Sequence, residues 1–389
     1  MNIRIKDILK QLDIDCYLIY DFRGSNYIGR RIIEFTNPTT RRWIALYTKD
    51  RELQLVIPKL EESIFADVQA EKHIYATYEE MQAILKKLLS SYKTIAMDFS
   101  PENGIPVIDV IPHGFYTMVQ SINLKAKLVS SADLTQYLSS TWNKTQYASH
   151  KTAALLLTEI VQKALSEIKG QMKSGKTVTD YDIEQFILGE YKKNNLVTEP
   201  HLAVVATDMR ASNPHYWPTE KKNYVIKPNS LLLLDIWAKL DEKDAIFADI
   251  TQMAWIGPEK VPTKVQEVWE VVRDARDIGI EYVMNHAKKD IQGYEVDREV
   301  RKYIESKGYG KYFVHRTGHS IDSNDHGNGA NIDDYETHDL RVLLPHTGFS
   351  IEPGIYLPEF GVRSEINMYI SEDKKGEVTT PRQTELFIV

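Results

Sequence analysis

The sequence predicts an α+β protein of two domains, and three observations lead to this fold class. The chain has 389 residues, which is more than one domain of ordinary size needs. Short apolar runs alternate with polar turns and a helical stretch through the first third. The remaining two thirds have the pattern of two helices followed by strands, and this order then repeats. We therefore expect a small N-terminal α/β domain over 1–135 and a larger domain over 145–389.

The first third has the pattern of a small α/β domain. The surroundings of Cys16, the single cysteine, are apolar, which indicates a buried structural thiol, and one cysteine excludes an intrachain disulfide. A stretch rich in serine and threonine without strong periodicity, 129–144, is the expected domain boundary. The predicted strands are CYLIYDF (16–22), RWIALYT (42–48), LQLVIP (53–58) and TIAMDFS (94–100), and the predicted helix is TYEEMQAILKKLLSSY (77–92).

The larger domain begins with two predicted helices. The first, 144–170, is a long amphipathic pattern closed by Gly170, and the second, 179–194, begins with Thr179 and Asp182 in capping-box spacing. Strands are then predicted at LAVVAT (202–207), SLLLLDIWAKL (230–240) and IFADITQMAWIG (246–257), helices at 263–287 and 295–307, and strands at FSIEPGIYL (349–357), GVRSEINMYI (361–370) and TELFIV (384–389). The order is duplicated although no repeat is visible residue by residue.

Charge and the N-terminal segment exclude several kinds of partner. The net charge is -7 and no block of like charges occurs, so nucleic acid and anionic membranes are poor partners. The N-terminal segment lacks an apolar h-region, and no run of 18 apolar residues follows it. Neither secretion nor membrane insertion is signalled, and the cytoplasm is the expected location.

Acidic residues interrupt predicted strands where apolar residues would cost less. Asp235 lies in LLLLDIWA, Asp249 in AIFADITQMAWIG and Glu352 in FSIEPGIYL. Burying a carboxylate without a partner costs several kcal/mol. In GVRSEINMYI the strand period of two puts Arg363 and Glu365 on the same face. A salt bridge or a strand-end position explains each acid alone, but the group of four is harder to explain in this way.

The segment HRTGHSIDSNDHGNG contains three histidines, His315, His319 and His326. His315 and His319 have the spacing of a helical zincin site, but no glutamate follows the first histidine and Gly318 disfavours the helix. The alternative is a strand and turn that present histidines to acids from elsewhere. Four carboxylates with one or two imidazoles suit Mn²⁺, Fe²⁺, Co²⁺ or Zn²⁺, and two divalent ions would balance the four negative charges.

With these motifs the chain resembles the pita-bread-fold metallopeptidases, specifically the aminopeptidase P and prolidase (Xaa-Pro peptidase) branch. The family order is an Asp, a second Asp, a His in a GHxxG-like segment, a Glu in EPG and a Glu in R-x-E. The matching residues are Asp235, Asp249, His319, Glu352 and Glu365. The resemblance covers 145–389 and implies a pita-bread catalytic domain of duplicated α-α-β-β order. The N-terminal third is similar to the family's smaller creatinase/prolidase-like α/β domain.

The resemblance also implies a role for each ligand. Asp235 would chelate one ion, His319 and Glu352 would bind the other, and Asp249 and Glu365 would bridge both. The two ions, with Mn²⁺ expected and Zn²⁺, Co²⁺ or Fe²⁺ as alternatives, would hold a bridging hydroxide that attacks the scissile carbonyl. Glu352 would also take a proton from this nucleophile.

Four further residues have catalytic roles implied by the resemblance. His215, in NPHYWP, matches the family's substrate-side histidine, and a capped turn histidine is the alternative interpretation. His315 and His326 would contact the substrate or stabilise the tetrahedral oxyanion and the leaving nitrogen. Arg363 would orient Glu365 or the substrate.

The implied activity is hydrolysis of peptides with proline in the second position by a dinuclear metallo-exopeptidase, as an aminopeptidase or a dipeptidase, and in a homodimer. The alternatives are a creatinase-like or methionine-aminopeptidase-like hydrolase and a non-catalytic relative that binds peptides or proteins. The full ligand set argues against a creatinase-like hydrolase and against a non-catalytic relative. The N-terminal domain argues against a methionine-aminopeptidase-like hydrolase. The chain departs from the family pattern in its longer interval from Asp235 to Asp249 and at Trp237, Gln252 and Ile366.

Overall fold

The computed structural model describes residues 2–198 and 203–389, and it divides into two compact units, Met1–Ser139 and Ser140–Val389. Leu202, the first residue of the predicted strand LAVVAT, lies outside the described residues. None of the helices in the described ranges combines the length and the apolar character that crossing a bilayer requires.

The first unit is a mixed sheet with helices on both faces. The order of its strands is β4-β3-β2-β1-β5-β6 in the numbering given below, and the central strand pairs antiparallel on one side and parallel on the other. The strands are β1 (Cys16–Phe22), β2 (Arg42–Thr48), β3 (Gln54–Pro58), β4 (Glu71–Tyr75), β5 (Thr94–Met97) and β6 (Lys127–Ser130), and the helices are α1 (Asn2–Gln11), α2 (Tyr27–Ile32), α3 (Tyr78–Leu89), α4 (His113–Ile122) and α5 (Ala132–Ser139).

Strand β1 shows why this sheet is covered on both sides. Tyr17 and Ile19 belong to an apolar core shared with α1, α2 and α5, whereas Cys16 and Leu18 belong to a second core shared with α3 and α4. The side chains alternate because successive residues of a strand point to opposite faces. The predicted strands are confirmed, and Cys16 is a buried free thiol as predicted. Helix α5 lies in the stretch that shows no strong periodicity in the sequence.

A buried aspartate joins three elements of this unit. Asp98 is fully buried and accepts hydrogen bonds from Tyr17 Oη at 2.7 Å, Asn26 Nδ2 at 2.6 Å and Ser131 Oγ at 2.6 Å. We expect Asp98→Ala to lower the free energy of unfolding by about 3 to 5 kcal/mol, because the three donors would stay buried without an acceptor. Urea unfolding measures this. The exposed Asp67→Ala should change stability by no more than about 0.5 kcal/mol.

The second unit contains the duplicated order that the sequence predicts. Its helices are α6 (Lys144–Lys173), α7 (Asp180–Lys193), α8 (Thr263–His286) and α9 (Gly293–Ser306). Its strands are β7 (Leu196–Val197), β8 (Val204–Thr207), β9 (Ser230–Leu240), β10 (Ala248–Ile256), β11 (Ser320–Ile321), β12 (Gly348–Ile351), β13 (Gly354–Tyr356), β14 (Gly361–Arg363), β15 (Ile366–Ile370), β16 (Gly376–Val378) and β17 (Phe387–Ile388). Each pair of helices is therefore followed by strands.

Two helix boundaries test the sequence patterns. Thr179 caps α7 with the predicted capping box, since its Oγ1 accepts from the N–H of Asp182 at 3.1 Å. The predicted end of α6 at Gly170 is wrong, because the helix continues to Lys173. A helical glycine costs only about 1 kcal/mol, which does not by itself end a long helix.

The sheets of this unit place the acidic residues. In one sheet the order is β17-β10-β9-β7, with β8 also paired to β9. A second sheet has the order β11-β12-β15-β16, and β13 pairs with β14. Helices α6 and α7 pack on one face of β9 and β10 in an apolar core that includes Leu232, Leu234 and Ile236. Asp235 lies between these residues in sequence and therefore points to the opposite face.

Candidate metal centre

The two predicted aspartate ligands project from neighbouring strands. In the antiparallel pair of β9 and β10, Asp235 lies opposite Thr251 and Asp249 lies opposite Trp237. Residues that face each other across a ladder share a side of the sheet, as do residues two apart along a strand. The four side chains therefore point to the same side, and both aspartates are buried there.

The two glutamates lie where a long hairpin opens. Strand β12 pairs with β15, and β13 pairs with β14. The chain passes from the first pair to the second at Glu352, and it returns to the first pair at Glu365. There the N–H of Glu352 donates to the carbonyl of Thr317 at 2.7 Å, and the N–H of Glu365 donates to that of Thr251 at 3.2 Å. The prediction that each glutamate lies inside one continuous strand is wrong. At the break, the backbone of Glu365 is hydrogen-bonded to β10, the strand that carries Asp249. The backbone of Glu352 is hydrogen-bonded to the segment that carries the histidines.

The backbone around His319 is held against β12. A Cβ added to Gly318 would lie 2.0 Å from the carbonyl oxygen of Ser350, so only glycine allows this close approach. The N–H of His319 donates to Ser350 Oγ at 2.9 Å, and that hydroxyl donates to Glu352 Oε1 at 3.0 Å. Ser350 thus positions a histidine and a glutamate at the same time. The histidine precedes a strand, as predicted, and is not on a helix.

The hydrogen bonds of His319 fix which ring nitrogen is available. Its Nδ1 lies 3.1 Å from the carbonyl oxygen of Ser320 and must donate to it. Nε2 then carries the lone pair, and it lies 3.5 Å from Asp249 Oδ2 and 3.4 Å from Glu352 Oε1. Burial lowers the pKa of His319, which favours the neutral ring that a metal ion requires.

Buried oxygen atoms test whether these residues fit a metal ion. Asp249, His319 and Glu365 offer ligand atoms that lie within 4.8 Å of one another. Asp249 Oδ1 and Glu365 Oε1 are buried and make no hydrogen bond within the described part of the chain. Burial, together with the neighbouring carboxylates, raises the pKa of both acids well above the ordinary range. Carboxylates and one imidazole form a donor set for Mn²⁺, Fe²⁺, Co²⁺ or Zn²⁺, so the residues fit a divalent ion.

Arg363 contacts a different acid from the one expected. Its guanidinium is paired with Asp235, and its Nε donates to Thr251 Oγ1 at 2.9 Å. Thr251 Oγ1 lies 3.1 Å from Asp235 Oδ1 and 2.8 Å from Glu365 Oε2. Within the described part of the chain, the hydrogen bonds of Arg363 therefore reach Glu365 only through the threonine hydroxyl, and its direct effect is on the orientation of Asp235.

His315 has both ring nitrogens engaged by the protein. Nδ1 donates to the carbonyl oxygen of Arg316 at 2.6 Å, and Nε2 accepts from the hydroxyl of Tyr356 at 2.7 Å. The same hydroxyl accepts from Arg363 Nη1 at 3.2 Å. Burial lowers the pKa of His315, in agreement with a neutral ring. His315 itself lines the cavity, but in this arrangement both of its ring nitrogens are engaged by the protein.

The other two predicted histidines are more exposed. The ring of His326 stacks on the ring of His319, with centroids 4.1 Å apart, and its side chain is 64% exposed. His215 is exposed in a turn, where its N–H donates to Asn213 Oδ1 at 3.0 Å. Both the turn interpretation and the substrate-side interpretation of His215 agree with this position.

One cavity of about 770 Å³ brings together every residue that the sequence singled out for the site. They are His215, Asp235, Asp249, His315, His319, His326, Glu352, Arg363 and Glu365. The sequence did not single out Arg316 and Asp325, which also line the cavity. Asp325 groups with His319 and His326. The sequence signal for Asp325 was its position next to His326, but a loop has no periodicity that predicts the direction of a side chain.

The hydroxyl of Ser350 offers a test of how the ligands are positioned. We expect Ser350→Ala to weaken Mn²⁺ binding about 10- to 100-fold, because Glu352 and His319 both lose the group that orients them. Isothermal titration calorimetry measures this. Ser306→Ala, on the exposed end of α9, removes a hydroxyl that donates to the carbonyl oxygen of Tyr303 within its own helix, and it should leave the affinity unchanged. Equal affinity of both variants would show that Ser350 has no such role.

Comparisons with known proteins give the following matches. Residues 149–372 match the model of metallopeptidase family M24. The Xaa-Pro dipeptidase of Lactobacillus helveticus is 34% identical over 186 residues, which are 46% of this chain and 45% of that protein. The chain therefore spans less than half the length of this curated relative.

Solved structures match over nearly the whole chain. The Xaa-Pro dipeptidase from Bacillus anthracis has a TM-score of 0.66 at 22% identity, covering 100% of this chain and 99% of that one. The X-prolyl aminopeptidase from Caenorhabditis elegans, described as a cytosolic enzyme with a di-nuclear active site, has a TM-score of 0.65 at 17% identity, covering 98% and 62%. Together with the family match, this likeness confirms the predicted fold class, a small α/β unit followed by a pita-bread unit.

Proposed function

The chain belongs to metallopeptidase family M24, and we propose that it is a metal-dependent exopeptidase that hydrolyses Xaa-Pro bonds. One observation carries the proposal: two aspartates, two glutamates and a histidine converge on one cavity, where two of their carboxylate oxygens are buried without hydrogen-bond partners among the described residues. Relatives named Xaa-Pro dipeptidase and Xaa-Pro aminopeptidase support the substrate class.

Five residues would hold two divalent ions, with Mn²⁺ as the proposed metal. They are Asp235, Asp249, His319, Glu352 and Glu365. Four carboxylates balance the charge of two such ions, and the di-nuclear site described for the C. elegans enzyme supports this count. When bound, the ions supply Lewis acidity, which polarises the scissile carbonyl and lowers the pKa of a water molecule towards neutrality.

The protein's own groups orient the substrate and move protons. Glu352 Oε1 is held by Ser350, which leaves Oε2 to take a proton from the attacking water. His215 and His326 line the cavity as exposed rings and can donate to the oxyanion or to the leaving nitrogen of proline. The leaving nitrogen needs that proton because it departs as an amine and not as an amide anion.

The walls of the cavity suit a proline ring. Trp217, Trp237 and Phe247 line it beside the acids, and Val204 contributes an aliphatic surface. A prolyl residue cannot be recognised through a backbone N–H, so a site for it must recognise the ring by its shape. Trp237 stands two residues after Asp235 on the same face of β9, so its ring lies on the side of the sheet that carries the two aspartates.

Location and assembly are part of the proposal. We propose a cytoplasmic homodimer; the C. elegans enzyme described as cytosolic supports the location, and the family resemblance supports the assembly. Sedimentation velocity of the purified protein tests the assembly, and a mass of one chain at micromolar concentration would contradict the dimer.

The activity is tested with purified protein, with and without Mn²⁺. We expect cleavage of Ala-Pro or Ala-Pro-Ala and no cleavage of the matched Ala-Ala dipeptide, with the released amino acid measured by chromatography. Full metal loading without cleavage of any proline peptide would favour the non-catalytic peptide-binding relative. Hydrolysis of Ala-Ala at the same rate would favour a hydrolase of the same fold with another specificity.

A further inference from the structure

The loop that carries His319 brings a further acidic residue, Asp325, to the cavity. Its side chain lines the cavity and is 12% exposed. The loop contains a second aspartate, Asp322, whose oxygens accept from the backbone N–H groups of Asn324 at 2.7 Å and Asn328 at 3.0 Å. Asp322 therefore stabilises the turns of the loop, and this role is already filled without Asp325.

One oxygen of Asp325 is buried without a hydrogen-bond partner. Within 2–198 and 203–389, the buried carboxylate oxygens in this condition are Asp249 Oδ1, Asp325 Oδ1 and Glu365 Oε1. All three side chains line the same cavity. A buried carboxylate oxygen without a donor is costly unless a cation binds it. Asp249 and Glu365 are proposed metal ligands, so Asp325 shares the property that distinguishes them.

Asp325 also lies close enough to His319 to share an ion with it. His319, Asp325 and His326 offer ligand atoms that lie within 4.8 Å of one another. Two atoms that bind one ion at about 2.2 Å are up to about 4.4 Å apart when they lie on opposite sides of it. A small movement of the side chains therefore allows one ion to contact His319 and Asp325 together.

The third member of this group, His326, is engaged through both ring nitrogens. Arg316 Nη2 lies 3.4 Å from His326 Nδ1, and a guanidinium can only donate, so Nδ1 is the acceptor. Nε2 then carries the proton, and it lies 3.7 Å from Asp325 Oδ2. Oδ2 of Asp325 therefore faces an N–H group, and Oδ1 is the oxygen that is left for a cation.

The charge of the cavity agrees with a further carboxylate ligand. Arg363 is paired with Asp235, and this pair offsets one negative charge within the protein. Four mostly buried carboxylates then remain around the cavity, and two divalent ions carry the charge that balances them. They are Asp249, Asp325, Glu352 and Glu365.

Resting on the proposed function, we propose that Asp325 is a further metal ligand, which binds through Oδ1 the ion that His319 holds. That ion gains one carboxylate beyond the five-residue ligand set. Because carboxylate oxygens suit Mn²⁺, the additional ligand should strengthen its binding.

Calorimetric titration of the metal-free protein with Mn²⁺ tests the proposal without any peptide. We expect Asp325→Asn to weaken Mn²⁺ binding at least about 10-fold, since even the loss of a residue that only orients a ligand costs about 10- to 100-fold. Glu336→Gln is the matched control. It removes an exposed carboxylate from the same cavity and should keep the affinity of the unaltered protein.

A thiol at position 325 distinguishes direct ligation from an effect of charge. Asp325→Cys loaded with Co²⁺ should show the near-ultraviolet charge-transfer absorption of a thiolate bound to the metal. The single native cysteine, Cys16, is buried in the first unit, and the Co²⁺-loaded unaltered protein supplies the background. This absorption decides the matter if Asp325→Asn does not fold.

The outcomes separate the two proposals. Equal Mn²⁺ affinity of Asp325→Asn and the unaltered protein would overturn the role of Asp325 and leave the Xaa-Pro activity standing. Weaker binding in Asp325→Asn without thiolate absorption in Asp325→Cys would do the same, because the loss of charge alone would then explain the result. An unaltered protein that binds no Mn²⁺ would overturn the metal-dependent activity and the further ligand together.

Discussion

Asp249→Ala should weaken metal binding and catalysis together. Asp249 is buried, one of its oxygens lies 3.5 Å from His319 Nε2, and the other has no hydrogen-bond partner within the described ranges. In the proposed site Asp249 would be a ligand of both ions, so its loss would remove a ligand from each. We expect kcat/KM to fall by at least about 10³-fold, the upper end of what the loss of a single oxyanion donor causes elsewhere. Elemental analysis of the dialysed protein should show fewer metal ions per chain.

The stability of the metal-free variant separates ligand loss from misfolding. Burial and the neighbouring Glu365 raise the pKa of Asp249, so the ionised side chain destabilises the metal-free fold. Its removal should leave the melting temperature of the metal-free protein equal or higher. Asp241→Ala, in the exposed turn after β9, is the control and should keep metal and activity. Normal metal content and turnover in Asp249→Ala would contradict the ligand assignment.

The sequence predicted which residues line the site but not the backbone structure that positions them. Asp235 and Asp249 interrupt otherwise apolar strands, and this conflict between residue and environment is visible without a structure. The period of two also predicts correctly that Arg363 and Glu365 face the same cavity. What it could not predict is the opening of the hairpin at Glu352 and Glu365, because that depends on backbone hydrogen bonds to segments distant in the chain.

The loop residues were beyond pattern-based prediction for a related reason. Arg316 and Asp325 flank histidines that the sequence singled out, yet their side chains line the cavity only because Gly318 lets the loop pack against β12. Tyr356 and Thr251 likewise acquire their roles from partners far apart in the chain, His315 and Glu365. Hydrogen-bond networks of this kind leave no periodic signal.

Removing the metal should lower the melting temperature by roughly 8 to 16 °C at neutral pH. An ion at about 1,000 times its dissociation constant stabilises the fold by about 4 kcal/mol, and each kcal/mol shifts the midpoint of a unit of this size by about 2 to 4 °C. The physical source is the cluster of buried acids, whose mutual repulsion a divalent ion relieves. Differential scanning calorimetry before and after chelation measures the shift, with a metal-reconstituted sample as the control.

The pH dependence of that shift identifies the carboxylates as its origin. In the metal-free protein the pKa values of Asp249 and Glu365 are raised by burial and by neighbouring acids above their unfolded values. Such groups stabilise the fold fully below the unfolded pKa, near pH 4, and this stability is lost as the pH rises through the folded pKa. Metal binding has the opposite dependence because the ligands must be deprotonated. The difference between the melting temperatures of the metal-loaded and the metal-free protein should therefore shrink from neutral pH to about pH 5. A constant difference would mean that the ion is held by groups other than these acids.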